Sequence, residues 1–421
     1  MGLPPNSDRP GPTPAPRQLL LSWRTTIRER LAGWNDDRMT RASADPMGVR
    51  RLIAGVGVGA DTTDLPIDLG ALHPSSHAAF RLALTLDGDR VTAAAAQIGF
   101  MHRGAEKLFE VRDYPGVLAL ANRHDWLAAF AGELGAALAV EELLGVTVPP
   151  RAVWLRTLLA ELTRISSHLT FLAAAPGVPP EFGWGARESI QQLITTATGG
   201  HLHTMAVAIG GLSTDITDDW LAQVKAGLPE RNSDLDRLTV LIEPQLSRLR
   251  GLGVLDLAST LDFGVSGPMA RAAGSTFDVR TAEPYLAYGE LADNSVLRVP
   301  RRNAGDAAAR YEILLEETAV SLDLIEHCVA RLQELHGPIG IRLPKVIRVP
   351  EGQAVTWTET PLGACSWLLV STGDKVPWRL KIKTPSFAVL AAMSRTLVDV
   401  PVAELDVAIG SCFFVIGDAD R

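Results

Sequence analysis

The chain has 421 residues, 47% of them hydrophobic and 21% charged, with a formal net charge of −8, and that length suits two or three packed units. A mean hydropathy of +0.12 and an isoelectric point near 5.7 predict large buried faces, some against partner subunits, and give no overall pull toward nucleic acid or anionic lipid. The three cysteines, Cys328, Cys365 and Cys412, form no C-x-x-C pair, so neither a zinc site nor a self-contained iron–sulfur site is signalled, and scattered thiols fit a reducing compartment.

The N-terminal "MGLPPNSDRPGPTPAPRQ" lacks an apolar core and has six prolines by position 16, which rules against a signal peptide. Residues 1–65 read as a largely disordered extension, within which "LLLSWRTTIRERLAGW" has a short amphipathic pattern. "FRLALTLDGDRVTAAAAQIG" reads as two strands joined at Asp87-Gly88. Helices follow. The most apolar stretch, "WLAAFAGELGAALAVEELLGV", carries Glu133, Glu141 and Glu142, so no transmembrane helix is predicted. In "PPRAVWLRTLLAELTRISSHLTFL", Pro149 and Pro150 mark a helix start. Leu155, Leu158, Leu162, Ile165 and Leu169 form its buried face. Glu161, Arg164 and His168 make a second, polar line. Either a solvated ladder or a buried, partnered one fits that spacing.

"RESIQQLITTATGGHLH" predicts a helix ending at Gly199-Gly200, and "DAAARYEILLEETAVSLDLIEHCVARLQEL" a long amphipathic one. "CSWLLVSTGDKVPWRLKIKTP" reads as a hairpin around Gly373-Asp374. There Leu380 and Ile382 alternate with Arg379, Lys381 and Lys383, one face buried and one basic. No Gly-rich phosphate loop, nucleophile elbow or H-E-x-x-H is present. The polar features that stand out are His73 and His77 in "LHPSSH", the "MHRGAEK" turn, "NRHDW" and "GGHLH". Each alone reads equally as a cap or a turn.

Taken in order, these stretches, with "LAVEELLGVTVPPRA", "GVSGPMARAAGSTFDVRTAEPY", "RLKIKTPSFAVL" and "GSCFFVIGDADR", resemble the D-type subunit of NADH-quinone oxidoreductase (respiratory complex I). That family is related to the large subunit of nickel–iron hydrogenases. The resemblance covers residues 66–421. It implies a helix-rich α+β fold of the hydrogenase large-subunit type. A small antiparallel sheet with a quinone-facing loop is expected over 66–100, a central helical bundle over 101–345 and a C-terminal α/β lobe over 346–421. It also implies that the apolar C-terminus is buried against the subunit that holds the terminal cluster.

The resemblance assigns roles. His77 is the candidate quinone ligand, with His73 and Pro74 shaping the loop; a neutral imidazole donates a hydrogen bond to a carbonyl and an imidazolium delivers a proton. Asp125 and Trp126 face the quinone from "NRHDW". Arg103 and His203 stand near a partner's [4Fe–4S] cluster, although an Arg103–Glu106 pair is the structural alternative. Two departures are plain. Trp126 replaces the family tyrosine; it keeps an N–H donor but cannot release that proton at accessible pH. The aspartate that orients the loop histidine is missing, and Glu181 is the only carboxylate near that point.

Quinone is the implied substrate, with no cofactor bound by this chain. The implied partners are an iron–sulfur (B-type) subunit, a C-type subunit, a membrane H-type subunit and an NADH-oxidising module. Nucleic acid is not among them, and the membrane is met only through partners, on the cytoplasmic face of a bacterial membrane. A non-catalytic paralogue acting as scaffold is the second reading. A nickel–iron hydrogenase is excluded by the absence of paired thiolates.

Overall fold

A computed structural model describes residues 50–55 and 80–421. Strands β1 (Arg50–Gly55), β2 (Arg81–Asp87) and β3 (Arg90–Gln97) form an antiparallel sheet in that order. In β2, Leu82, Leu84 and Leu86 are buried and alternate with less buried neighbours, the period-two pattern of a sheet with one covered face. The β2–β3 turn has a positive φ at Gly88 (61°), which suits glycine in a two-residue hairpin loop. β1 lies inside the stretch read from sequence as an extension. It gives the hairpin a third strand, and a lone hairpin is marginal in water.

The helical part begins with α1 (Ala105–Phe109), α2 (Tyr114–Ala121), α3 (Ala129–Leu144), α4 (Pro150–Ala173) and α5 (Pro180–Thr198). A two-residue ladder, β4 (Val207–Ala208) with β5 (Gly211–Leu212), precedes α6 (Asp218–Leu249). The short helices α7 (Leu257–Phe263), α8 (Gly267–Ala272), α9 (Val279–Ala282) and α10 (Tyr288–Asp293) lead to α11 (Ala307–Glu334). Helix α4 is the centre, packed by α3, α5 and α11, while α6 closes the bundle against α5 and α11. Among the described residues no helix is long and apolar enough to cross a membrane.

The second sheet, β6 (Gly352–Thr360), β7 (Gly363–Ser371) and β8 (Arg379–Lys383), is antiparallel in that order. It packs on α3. Leu380 and Ile382 are buried, as their alternation predicts. Helix α12 (Pro385–Thr396) lies on β3 and so joins the two sheets; α13 (Leu405–Gly410) and α14 (Ile416–Ala419) end the chain. The apolar C-terminal run, expected from the resemblance to bury against another subunit, is instead buried in this chain: Cys412 to Ile416 are all 2% exposed or less. Phe413 stacks on Phe171 and Tyr311, so the chain supplies its own cover.

The polar line of α4 is buried, since Glu161, Arg164 and His168 are at most 2% exposed. The solvated-ladder reading therefore fails. Glu161 accepts from Tyr288 Oη (2.6 Å) and Ser321 Oγ (2.6 Å) and faces Arg164 and Arg280. Arg164 donates to the carbonyls of Glu359 (2.7 Å) and Thr360 (3.0 Å). Arg271 ties Glu317, Glu359 and Asp278 together, and Asp278 also binds Arg280. One buried network thus pins α4 to α8, α9, α10, α11 and the β6–β7 turn.

Candidate functional site

His73 and His77 lie outside the described residues, so the other walls define the site. The first is α3. Its face is apolar except for two glutamates eight positions apart, Glu133 and Glu141, both buried. Glu133 accepts from Asn122 Nδ2, from Thr204 Oγ1 (2.7 Å) and from the amides of Met205 (2.6 Å) and Val207 (3.0 Å). Burial pushes its pKa up, and those donors oppose the shift. Glu141 forms a bidentate pair with Arg156 (2.9 and 2.6 Å) and accepts the Gly210 amide (2.6 Å). The two carboxylates therefore fasten residues 204–210 to α3, and with them the loop that carries His203.

His203 is partly buried, and its Nδ1 has no hydrogen-bond partner. Burial lowers its pKa, helped by Arg123 and Arg103 and opposed by a backbone hydrogen bond at Asn122. The structure thus brings Arg103 and His203 into one electrostatic neighbourhood. Arg103 is exposed and donates to the Arg123 carbonyl (3.1 Å). It does not pair with Glu106, which binds Arg379 (2.6 Å) and the Ile382 amide (3.1 Å). The turn before Arg103 is clamped by the C-terminus: Asp420 accepts the amides of Gly99 (2.7 Å) and Met101 (2.9 Å).

The "NRHDW" segment enters α3. Asp125 is buried and accepts the amides of Leu127 (3.1 Å) and Ala128 (3.2 Å). It therefore closes the turn that starts the helix. The half-buried Trp126 lays its ring against Gly417, where an added Cβ would stand 2.1 Å from the ring. The same ring lines a small cavity with Phe130, Thr163, Ser166, Gln191 and Thr204. Ser166 Oγ donates to Gln191 Oε1 (2.9 Å) and Gln191 Nε2 donates to the His201 carbonyl. The cavity is small, with room for about one water molecule. Glu181, the nearest carboxylate by sequence, is exposed in the first turn of α5.

Sequence reasoning singles out "NRHDW" but gives His124 no role, and it passes over Asp418. Both are buried, with Nδ1 and Oδ1 3.3 Å apart. Glu133 is visible in the sequence only as a charge inside an apolar run. A lone carboxylate on an otherwise apolar helix face is the signal that could have found it. Among the described residues no group of His, Cys, Asp and Glu is placed to hold a metal ion, and the three cysteines are buried and free.

The chain matches the family described as "Respiratory-chain NADH dehydrogenase, 49 Kd subunit" over residues 179–348 and 341–421. It is 46% identical over 383 residues to the second D-type subunit of NADH-quinone oxidoreductase from Salinispora arenicola, covering 89% of this chain and 98% of that one. The first D-type subunit of the same enzyme from Streptomyces coelicolor is 46% identical over 376 residues (87% and 98%). The second from Sinorhizobium medicae is 33% identical over 407 residues (89% and 99%).

Proposed function

Since the chain belongs to the family of the 49 kDa subunit of respiratory-chain NADH dehydrogenase, we propose that it forms one wall of the quinone-reduction chamber of a proton-translocating NADH-quinone oxidoreductase. As a member of that family it is a component of an oxidoreductase complex built with other subunits. In this reading it stands beside the terminal [4Fe–4S] cluster of a B-type subunit, with C-type and membrane H-type neighbours, at the cytoplasmic face of a bacterial membrane. NADH is oxidised on another module.

The observation that carries the reading is the similarity to D-type subunits of NADH-quinone oxidoreductase over most of the chain. At the small cavity Trp126 offers a flat π-face, and Thr163, Ser166, Gln191 and Thr204 put polar groups on the remaining walls, all buried. The cavity also touches Leu202 and Thr204, which flank His203. Burial, with Arg123 and Arg103, keeps His203 readily neutral, so it is poised to take up a proton as negative charge accumulates nearby. His77 and His73 complete the chamber in this reading, His77 as the headgroup ligand.

The test is made on the complex purified from its own host. NADH-driven quinone reduction that is blocked by quinone-site inhibitors is expected, with iron–sulfur, membrane and NADH-oxidising subunits travelling with this chain. Trp126→Tyr restores a phenol and is expected to raise turnover. The scaffold reading rests on the Trp126 departure and on the missing aspartate. It predicts no inhibitor binding, and no effect of either Trp126→Tyr or His77→Ala.

A further inference from the structure

The loop that carries His203 is held at two points. On one side Glu133 takes the amides of Met205 and Val207. Met205 has a φ of 48° there, a left-handed conformation that a residue other than glycine keeps only where its surroundings impose it. On the other side the anchor is His201, gripped by one face of α5. Glu188, Gln191 and Thr195 follow each other at steps of three and four on that helix, so they share a face. Gln191 Nε2 donates to the His201 carbonyl. The Thr195 hydroxyl donates to the Gln191 carbonyl (2.7 Å), so its oxygen is left to accept from His201 Nδ1 (3.1 Å). His201 Nε2 stands 3.6 Å from Glu188 Oε2. The turn between the anchors has no slack. A Cβ added to Gly200 would stand 2.1 Å from the His203 carbonyl oxygen, so residues 200–203 shift as a unit.

Gln191 is the buried member of that face, 5% exposed, and its amide has one orientation. Ser166 of α4, itself buried, donates to Oε1 (2.9 Å). A carbonyl on the other side can be met only by Nε2. Without the Ser166 hydroxyl nothing stops the amide from turning over and setting Oε1 against the His201 carbonyl. Two hydrogen bonds in series thus run from the central helix to the loop.

We propose that Gln191, oriented by Ser166, is a positioning residue that fixes His203 against the partner's iron–sulfur centre. It acts through the His201 carbonyl, not by contact with that centre. The inference rests on the chamber reading, in which the His203 imidazole gains a proton from water as the centre gains an electron. Arg103 and Arg123 face the ring, and its one hydrogen bond is at the Asn122 backbone. Charge–charge energy depends on distance, so a displaced loop changes the proton affinity of the ring.

The experiment is a redox titration of the partner's cluster in the assembled complex, read by electron paramagnetic resonance across a range of pH, with ferricyanide reduction by NADH and subunit content as controls. The native potential is expected to fall as pH rises through the range in which His203 titrates. Gln191→Leu comes close in volume and removes the donor. The ring then escapes the burial and the two arginines that lower its pKa, and the pH midpoint of that fall is expected to rise by about one pH unit. Ser166→Ala is expected to move it the same way by less. Ser166→Thr keeps the hydroxyl, and the small cavity beside Ser166 takes the extra methyl, so its profile matches the native one. A merely structural role would lower the unfolding midpoint and leave the pH midpoint in place. Amide hydrogen exchange over residues 200–205 reads the loosening without the cluster and is expected to be faster in Gln191→Leu. A pH-dependent native potential that neither Gln191→Leu nor Ser166→Ala shifts overturns the proposal, as does unchanged exchange in both. If Gln191→Leu does not assemble, the Ser166 variants decide, and equal midpoints in Ser166→Ala and the native complex overturn the proposal. A native potential that does not vary with pH overturns the role of His203 in the chamber reading, and the proposal with it.

Discussion

Burial holds the His168 imidazole at a pKa of about 4, with Arg164 and Arg271 adding to the shift and Glu317 opposing it. The ring is 0% exposed and its Nε2 meets the Pro361 carbonyl at 3.0 Å. The neutral form therefore belongs to the folded state. An unfolded histidine binds its proton near pH 6.5, so between about 6.5 and 4 the unfolded chain holds a proton that the folded chain does not. The stability contribution is complete above pH 6.5 and is lost as pH falls to 4. It amounts to about 3 kcal/mol at most. Denaturant midpoints across that range should fall with pH in the native chain and fall less in His168→Leu. The sequence leaves two readings open for this residue, because spacing alone does not say which side of a helix a neighbour covers. His124 gives still less signal: its partner Asp418 is 294 residues away along the chain, and nothing local announces such a pair.

At the scale of elements, α4 shows how charge can organise a core. Burial by itself raises the pKa of Glu161, but Arg164, Arg280, Ser321 and Tyr288 hold it below the usual carboxylate value. Removing a member of a buried pair strands the other charges. Glu161→Ala is thus expected to cost about 3–5 kcal/mol, read as a lower denaturant midpoint, whereas changes on the exposed face of α6 should move it little. α4 itself is legible from its leucine spacing and its prolines, and both hairpins are marked by turns that pair Gly with Asp. Helix α6 is not, because Pro229 and Pro244 lie inside it and proline is the usual mark of a helix boundary. Strand β6 hides as well: its buried positions do not alternate cleanly, since its far end turns into the ionic network.

At the scale of the whole molecule, the described fold covers its own C-terminus yet leaves apolar side chains exposed around the Arg103 turn and the His203 loop. Phe100, Met101, Leu108 and Val111 come from the first segment, and Leu202 and Met205 from the second. The two segments are neighbours, since Arg103 acts on His203. Apolar clusters rimmed by charge mark subunit contacts, and an assembly role for this face agrees with the 47% hydrophobic content. Ordered motifs make the family legible, but not this face, because no spacing rule separates an exposed methionine from a buried one. Glu133 fixes the Met205 amide from inside the chain, so the side chain at 205 can change without loosening the loop. Val111→Glu combined with Met205→Glu should therefore leave the chain's own unfolding midpoint unchanged while the iron–sulfur subunit no longer co-purifies with it. Retention of that subunit by the double variant would place the contact elsewhere on the molecule.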